Sequence, residues 1–407
     1  MASPVSDFHQ FAIATLLPLC RDRFADTAHG GFHERLDPSH RPVPLGGKRL
    51  MVQCRQLYVL SHAALLGERS GQAVAERGYA FIRRAYRDGA HGGWHFRASD
   101  AGEPIDRAKD LYTHAFVLFA LAYLHRAFGA PDAIALAAET LDVLQTRMAA
   151  PTGGFWDGAS EDWEPDTSVR RQNPHMHLLE ALLALHEATG QTRWLDSAGA
   201  LVRLFLDRFF DPATGTLGEY FTATWAPDPA RGNIVEPGHH FEWVWLLHRY
   251  RALSGSAEAA VAADRLFRTA DRHGTDPVHG GIHDQIDRNG APLLATRRIW
   301  PVAEAIKAHV ARIEAGETVP ADQPARLITH LQTHFIRPEA QGWIETMTQG
   351  GAPLQVTLPG STPYHLFLAA AEASRVLGEK PPDAARPAPS RTANPRPAEG
   401  GRFRDRP

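Results

Sequence analysis

The chain has 407 residues, 43% of them hydrophobic, which is enough to bury a large core as two ordinary domains or as one closed architecture. A net charge of −3 and a pI near 6.7 leave no basic face for nucleic acid and no polybasic segment for a membrane, so a small neutral or weakly charged partner fits best. Cys20 and Cys54 are the only cysteines, which excludes a disulfide framework and suits a reducing, cytoplasmic setting.

In chain order, the apolar run Phe11 to Cys20 is preceded by Asp7 rather than by a basic segment and is too short to span a bilayer; it reads as a first amphipathic helix. From there a glycine turn followed by an apolar residue recurs: Gly30-Gly31-Phe32, Gly92-Gly93-Trp94, Gly153-Gly154-Phe155, Gly215-Thr216-Leu217, Gly280-Gly281-Ile282 and Gly342-Trp343. The residue before the apolar one falls at 31, 93, 154, 216, 281 and 342, at intervals of 61 to 65. Six repeats of one supersecondary unit follow.

Each unit reads as a helix, the turn with a short extended excursion, and a second helix. Before the turns, Trp194, Leu195, Ala198, Leu201, Val202 and Phe205 keep helical spacing with Asp196, Arg203 and Asp207 opposite, as in a helix covering a core from outside. After the turns, the runs 111–124, 178–185 and 366–371 are apolar nearly all round, as in a helix enclosed on most sides. Six outer and six inner helices predict an all-α, closed (α/α)6 barrel over residues 1–378, with an open solenoid as the competing arrangement. Residues 379–407 hold seven prolines, Lys380 and six arginines against four acids, with almost no large apolar residues; a disordered tail is expected.

Polar residues recur on the inner helices. Twenty-three positions after the mark come His177, His239, Glu304 and His365, with Arg55 one further on in the first unit. In the second unit the position is Phe116, with Tyr112 four residues earlier, a place also used by Asn173 and Trp300. Pro174, Pro237, Pro301 and Pro363 put these residues in the first turns of their helices, so six helix N-termini face one cavity. A lone histidine near a helix start is usually a cap or a surface residue, and several of the 22 must be bystanders. Three at one repeat offset point instead to a shared site, in which His175 has no counterpart and reads as a neighbour or cap.

Glu242 follows His239 by three residues and Glu180 follows His177 likewise, so each pair shares a helical face. No cysteine set or carboxylate-rich second half accompanies these pairs, and acid/base work is expected rather than a metal. Arg55, on an apolar helix, calls for an oxygen-rich ligand or a carboxylate such as Glu304. Tyr112, Trp300 and Trp343 are candidates for the mouth, where aromatic faces pack on the C–H faces of a sugar. No GxGxxG after a strand, Walker A loop or GxSxG elbow occurs, so neither a nucleotide cofactor nor serine hydrolase chemistry is indicated.

The set Gln53-Cys54-Arg55-Gln56-Leu57-Tyr58, Lys109-Asp110-Leu111-Tyr112, Asn173-Pro174-His175-Met176-His177, Pro237-Gly238-His239-His240-Phe241-Glu242-Trp243, Trp300-Pro301-Val302-Ala303-Glu304 and Thr362-Pro363-Tyr364-His365 resembles the N-acylglucosamine 2-epimerase superfamily, from the first helix to residue 377. The resemblance implies an (α/α)6 barrel that isomerises or epimerises sugars without a metal or other cofactor. By the same resemblance, Arg55, Tyr112 and Asn173 would hold sugar hydroxyls with help from His177. His239, supported by Glu242, would open the ring and act as general acid/base, His365 would remove the proton beside the carbonyl, and Glu304 and Trp300 would support the site. The 172–180 stretch is most similar to the branch acting on free mannose, so mannose–fructose interconversion through an enediol(ate) is expected, with sugar 2-epimerisation close behind. An (α/α)6 glycoside hydrolase with Glu242 and Glu304 as opposed acids, and a non-catalytic carbohydrate-binding module, are the readings from other classes.

Overall fold

Inner and outer helices alternate along residues 3–378, the part described by the computed structural model; the 379–407 tail expected to be disordered lies outside the described residues. The inner helices are α2 (Leu50–Leu65), α4 (Leu111–Phe128), α6 (Gln172–Thr189), α8 (Pro237–Ser254), α10 (Ile299–Glu314) and α12 (Pro363–Leu377). The outer ones are α1 (Pro4–Phe11, prolonged by wide π-helical turns to Phe24), α3 (Gln72–Tyr86), α5 (Ala133–Val143), α7 (Thr192–Leu204), α9 (Ala257–Thr269) and α11 (Gln323–His334).

Their ends follow local chemistry. The Asp110 side chain accepts from the Thr113 N–H to start α4, and Gly129, in the left-handed conformation at φ 64°, ends it. Gly190 and Gly255 end α6 and α8 in the same way. The amphipathic stripe of α7 buries Trp194, Ala198, Leu201 and Val202 as its spacing requires.

The helices pair differently from the repeat unit read in the sequence. The tight hairpins run inner to outer: α3 packs on α2, α5 on α4, α7 on α6, α9 on α8 and α11 on α10. This leaves α1 as the outer cover of α12, so the two ends of the described chain are joined by packing. Short connections decide the matter, because helices joined by a few residues must lie antiparallel side by side. The ring is closed, since α12 packs against α2.

A second ring of short antiparallel ladders rims one end. A two-residue strand at or shortly before the start of each inner helix bonds the strand that follows the next glycine turn: Lys48 faces Ala98, Lys109 Ala159, Arg170 Phe221, Val235 Ile286, Arg297 Met347 and Leu358 Leu36. The last of these joins the sixth unit to the first. Buried cations and side-chain acceptors fasten the turns. Lys48 binds Asp26 at 2.7 Å and Gly30 O at 2.8 Å, and Lys109 binds Asp88 at 2.5 Å. The N–H after each mark donates to Gln53, His114, His175 or His240 in the first four units, at 2.7 to 3.1 Å. His175 is therefore a clasp of the scaffold. No helix among the described residues is long and apolar enough to cross a membrane.

Candidate active site

A cavity of ≈ 320 Å³ opens at the end of the barrel where the inner helices begin. Each inner helix supplies a wall residue: Arg55 from α2, Tyr112 from α4, Asn173 and His177 from α6, His239 and Glu242 from α8, Trp300 from α10 and His365 from α12. Of the nine residues expected from the sequence, only Glu304 does not line it; it lies behind His365.

His365 Nδ1–H donates to Glu304 Oε1 at 2.7 Å. That fixes the tautomer and leaves Nε2 as a free base, 3.5 Å from an Arg55 guanidinium nitrogen. Burial, followed by the charges of Arg55 and Lys307, holds the His365 imidazole well below its ordinary range. It is neutral at physiological pH.

His239 has the opposite environment. Burial alone would lower it, but the carboxylates of Glu219 at 2.9 Å and Glu236 at 3.8 Å from Nδ1 raise it to about 9. Glu242 was expected to support this ring; the hydrogen bond at Nδ1 goes to Glu219, and Glu242 lies 3.9 Å from His177 Nε2. An i,i+3 spacing puts two side chains on one face without deciding which neighbour each meets. Asn173 lies 3.2 Å from His239 Nε2. A neutral His239 accepts there from the Asn173 amide N–H, whereas an imidazolium needs the amide turned so that its oxygen accepts.

The Trp300 indole spans the two histidines, with ring centroids 5.2 Å from His239 and 5.5 Å from His365. It fits because Gly238 has no side chain: a Cβ there would come within 2.5 Å of the indole. Trp343, by contrast, is buried away from the mouth and donates its indole N–H to Glu345, which lines the cavity.

Arg55 does not meet Glu304. Its guanidinium lies 4.3 Å from the Phe116 ring centroid and 4.7 Å from that of Tyr364, donates to Tyr112 Oη at 2.6 Å and to Ser361 O at 3.2 Å, and leaves Nε unpartnered. A cation held by aromatic faces rather than a carboxylate keeps its charge available to oxygen atoms of a ligand.

One helical turn deeper lie Glu180, Glu242 and Lys307. Glu180 accepts from His177 Nδ1–H at 3.1 Å and from the Tyr364 hydroxyl at 2.6 Å, while Lys307 sits 2.7 Å from Glu304 with both side chains fully buried. Two trios bring potential metal donors within 4.8 Å, His177-Glu180-Glu242 and Glu242-Glu304-His365. In the second trio Glu304 is already paired with the Lys307 ammonium and accepts an N–H from His365, and in the first Glu180 accepts an N–H from His177.

Sequence reasoning missed Glu219, Glu236, Arg171, Arg298 and Glu345, all on the cavity wall. A signal for some existed. Three positions after the mark stand Glu34, Asp157, Glu219, Asp284 and Glu345, a carboxylate in five of six units.

The family described as N-acylglucosamine 2-epimerase (GlcNAc 2-epimerase) matches over residues 30–369. The chain belongs to the N-acylglucosamine 2-epimerase family. A mannose-6-phosphate isomerase of Rhizobium meliloti (strain 1021) is 34% identical over 366 residues, 87% of this chain and 92% of that one. A D-mannose isomerase of Thermobifida fusca is 32% identical over 302 residues, 70% and 73% of the two chains. Among solved structures, cellobiose 2-epimerase from Spirochaeta thermophila DSM 6192 superposes with a TM-score of 0.81 at 26% identity, covering 92% of this chain and 96% of that one. The N-acylglucosamine 2-epimerase family thus brings sugar isomerases and epimerases together with this chain, and the (α/α)6 barrel is shared.

Proposed function

We propose that the protein is an aldose-ketose isomerase that interconverts D-mannose and D-fructose through an enediol(ate), by histidine acid/base catalysis without a metal. The observation that carries this reading is a pair of histidines on one indole in contrasting surroundings, His365 with its Nδ1–H on Glu304 and Nε2 near Arg55, and His239 with Nδ1 on Glu219 beside Glu236. Two titratable groups pushed apart by their surroundings supply an acid and a base together.

In this scheme His239 donates its proton to the ring oxygen as the C1–O5 bond breaks and the O1 hydroxyl releases its proton to solvent, which leaves the open-chain aldehyde and a His239 that solvent reprotonates. His365 Nε2 then takes the proton from C2, and the C2–H electron pair becomes the C1–C2 double bond while the carbonyl oxygen at C1 gains a proton. Return of a proton to C1, with loss of the O2 proton, completes the ketose. Arg55 and the inner-helix N-termini stabilise the negative charge that develops on the enediolate oxygens. Tyr112, Asn173 and His177 hold hydroxyls, and Trp300 covers a C–H face.

The relative from Rhizobium meliloti raises a phosphorylated substrate as the second reading. The charges at the mouth favour the neutral sugar: Arg171 is held by Asp157 at 2.6 Å, and Arg298 by Asp284 at 2.7 Å and Glu236 at 3.3 Å. A phosphate there would meet guanidiniums already neutralised, beside Glu219 and Glu236.

Incubation with D-mannose, D-mannose 6-phosphate and cellobiose, followed by NMR of the products, tests the proposal. Fructose from mannose is expected. Glucose without fructose would make the enzyme a 2-epimerase, preferential turnover of the phosphate would overturn the choice of substrate, and no turnover of any sugar would remove the isomerase reading.

A further inference from the structure

Three carboxylates are buried beneath the cavity, and two of them accept from a side-chain donor. Glu180 takes the His177 Nδ1–H and the Tyr364 hydroxyl; Glu304 takes the His365 Nδ1–H and lies beside Lys307. Among the described residues Glu242 has no such donor. Its Oε1 is buried without a hydrogen-bond partner, and His177 Nε2, 3.9 Å away, is a lone pair because that ring's proton is on Nδ1.

The groups around Glu242 leave little choice of charge. From α6 come His177 and Glu180, from its own helix His239, from α10 Glu304 and Lys307, and from α12 His365 and Tyr364; Tyr112 of α4 and Arg55 of α2 share the cavity wall. The Lys307 ammonium is paired with Glu304 and the His239 imidazolium with Glu219 and Glu236, so of the three carboxylates Glu242 is the one that no donor stabilises, and the proton settles there. We propose that Glu242 is a neutral carboxylic acid that donates its O–H to a hydroxyl of the bound sugar, while His177 Nε2 accepts the proton of that same hydroxyl.

The gap between the two groups suits this role. At 3.9 Å they are too far apart to bond each other, yet a hydroxyl oxygen about 2.8 Å from each would satisfy both. Burial, then the Glu304 carboxylate, push the Glu242 carboxyl well above the usual range, in agreement with the hydrogen-bond count. The assignment of the ligand rests on the sugar-isomerase reading, but the protonation of Glu242 does not.

Infrared difference spectroscopy tests the protonation without substrate. At neutral pH the wild-type protein should show the C=O stretch of a buried protonated carboxyl, and Glu242→Gln should lose it. Its absence from the wild-type protein would overturn the proposal whatever the variants do, as would a stoichiometric divalent ion in the purified enzyme, which would make Glu242 a ligand. Activity tests the donor: Gln keeps an N–H, so kcat/KM should fall about tenfold, whereas Glu242→Leu should lose about a hundredfold or more. Equal loss in both variants, with both folded by circular dichroism, would contradict the donor role. An intact band in an enzyme that turns over no sugar would sink the isomerase reading and leave the protonated acid standing.

Discussion

His239 Nδ1 lies 2.9 Å from Glu219, a residue on the extended segment twenty positions earlier, and this contact helps keep the imidazole charged at neutral pH. A group raised to about 9 stays protonated below that value and loses its proton as pH climbs through it. If His239 is the acid, turnover should be sustained through neutral pH and fall on the alkaline side near 9. Glu219→Gln removes one of the two nearby carboxylates, so the alkaline limb of the kcat/KM profile should move down by about one pH unit or more. An unmoved limb would separate Glu219 from the acid.

His365→Asn removes the base while keeping a polar side chain. The expected result is a fall in kcat of about a hundredfold to ten-thousandfold, with sugar affinity by calorimetry close to wild type. Loss of binding with kcat retained would make His365 a binding residue only.

Gly238→Ala adds a methyl group where the Trp300 indole now lies, within 2.5 Å. Overpacking of about 1–3 kcal/mol is offset by up to about 1 kcal/mol of helix propensity, so the thermal melt should hold or fall slightly. Displacing the indole from between the two histidines should nevertheless lower kcat/KM by about a hundredfold. A fully active variant would show that Trp300 does not organise the pair.

Lys48 is buried on Asp26, whose carboxyl is held at about 2: burial opposes this, and the Lys48 bond with the His29 and Ala28 N–H groups overcomes it. The stabilisation is present above the ordinary aspartate range and fades as pH falls toward 2. Lys48→Met leaves the carboxylate without its cation and should cost about 3 kcal/mol at neutral pH in chemical denaturation, less in acid. An equal cost at every pH would mean that packing, not charge, fastens the turn.

Much of this was legible in the sequence because a ring of repeats states each position several times. The offset of His177, His239 and His365 placed all three at one cavity, and the prolines fixed the end of the barrel. The turn-clasping histidines could not be told from bystanders, since their partners are backbone N–H groups about twenty residues away. The hydrogen-bond partner of His239 was not visible for a related reason. Glu242 shares its helical face, whereas Glu219 reaches it from an excursion whose position depends on the ladders that rim the barrel. Ladder pairs join residues about fifty positions apart, and no local periodicity reveals them. Arg55 escaped for another reason: three aromatic rings from two helices replaced the carboxylate expected from its burial.

Proton transfer at C1 and C2 is best read by running D-mannose to many turnovers in deuterated water and examining the fructose by NMR. Solvent deuterium at C1 is the expected result, because the proton taken by His365 exchanges before it returns. Fructose formed without solvent deuterium, as a direct hydride shift would give, would contradict the histidine mechanism.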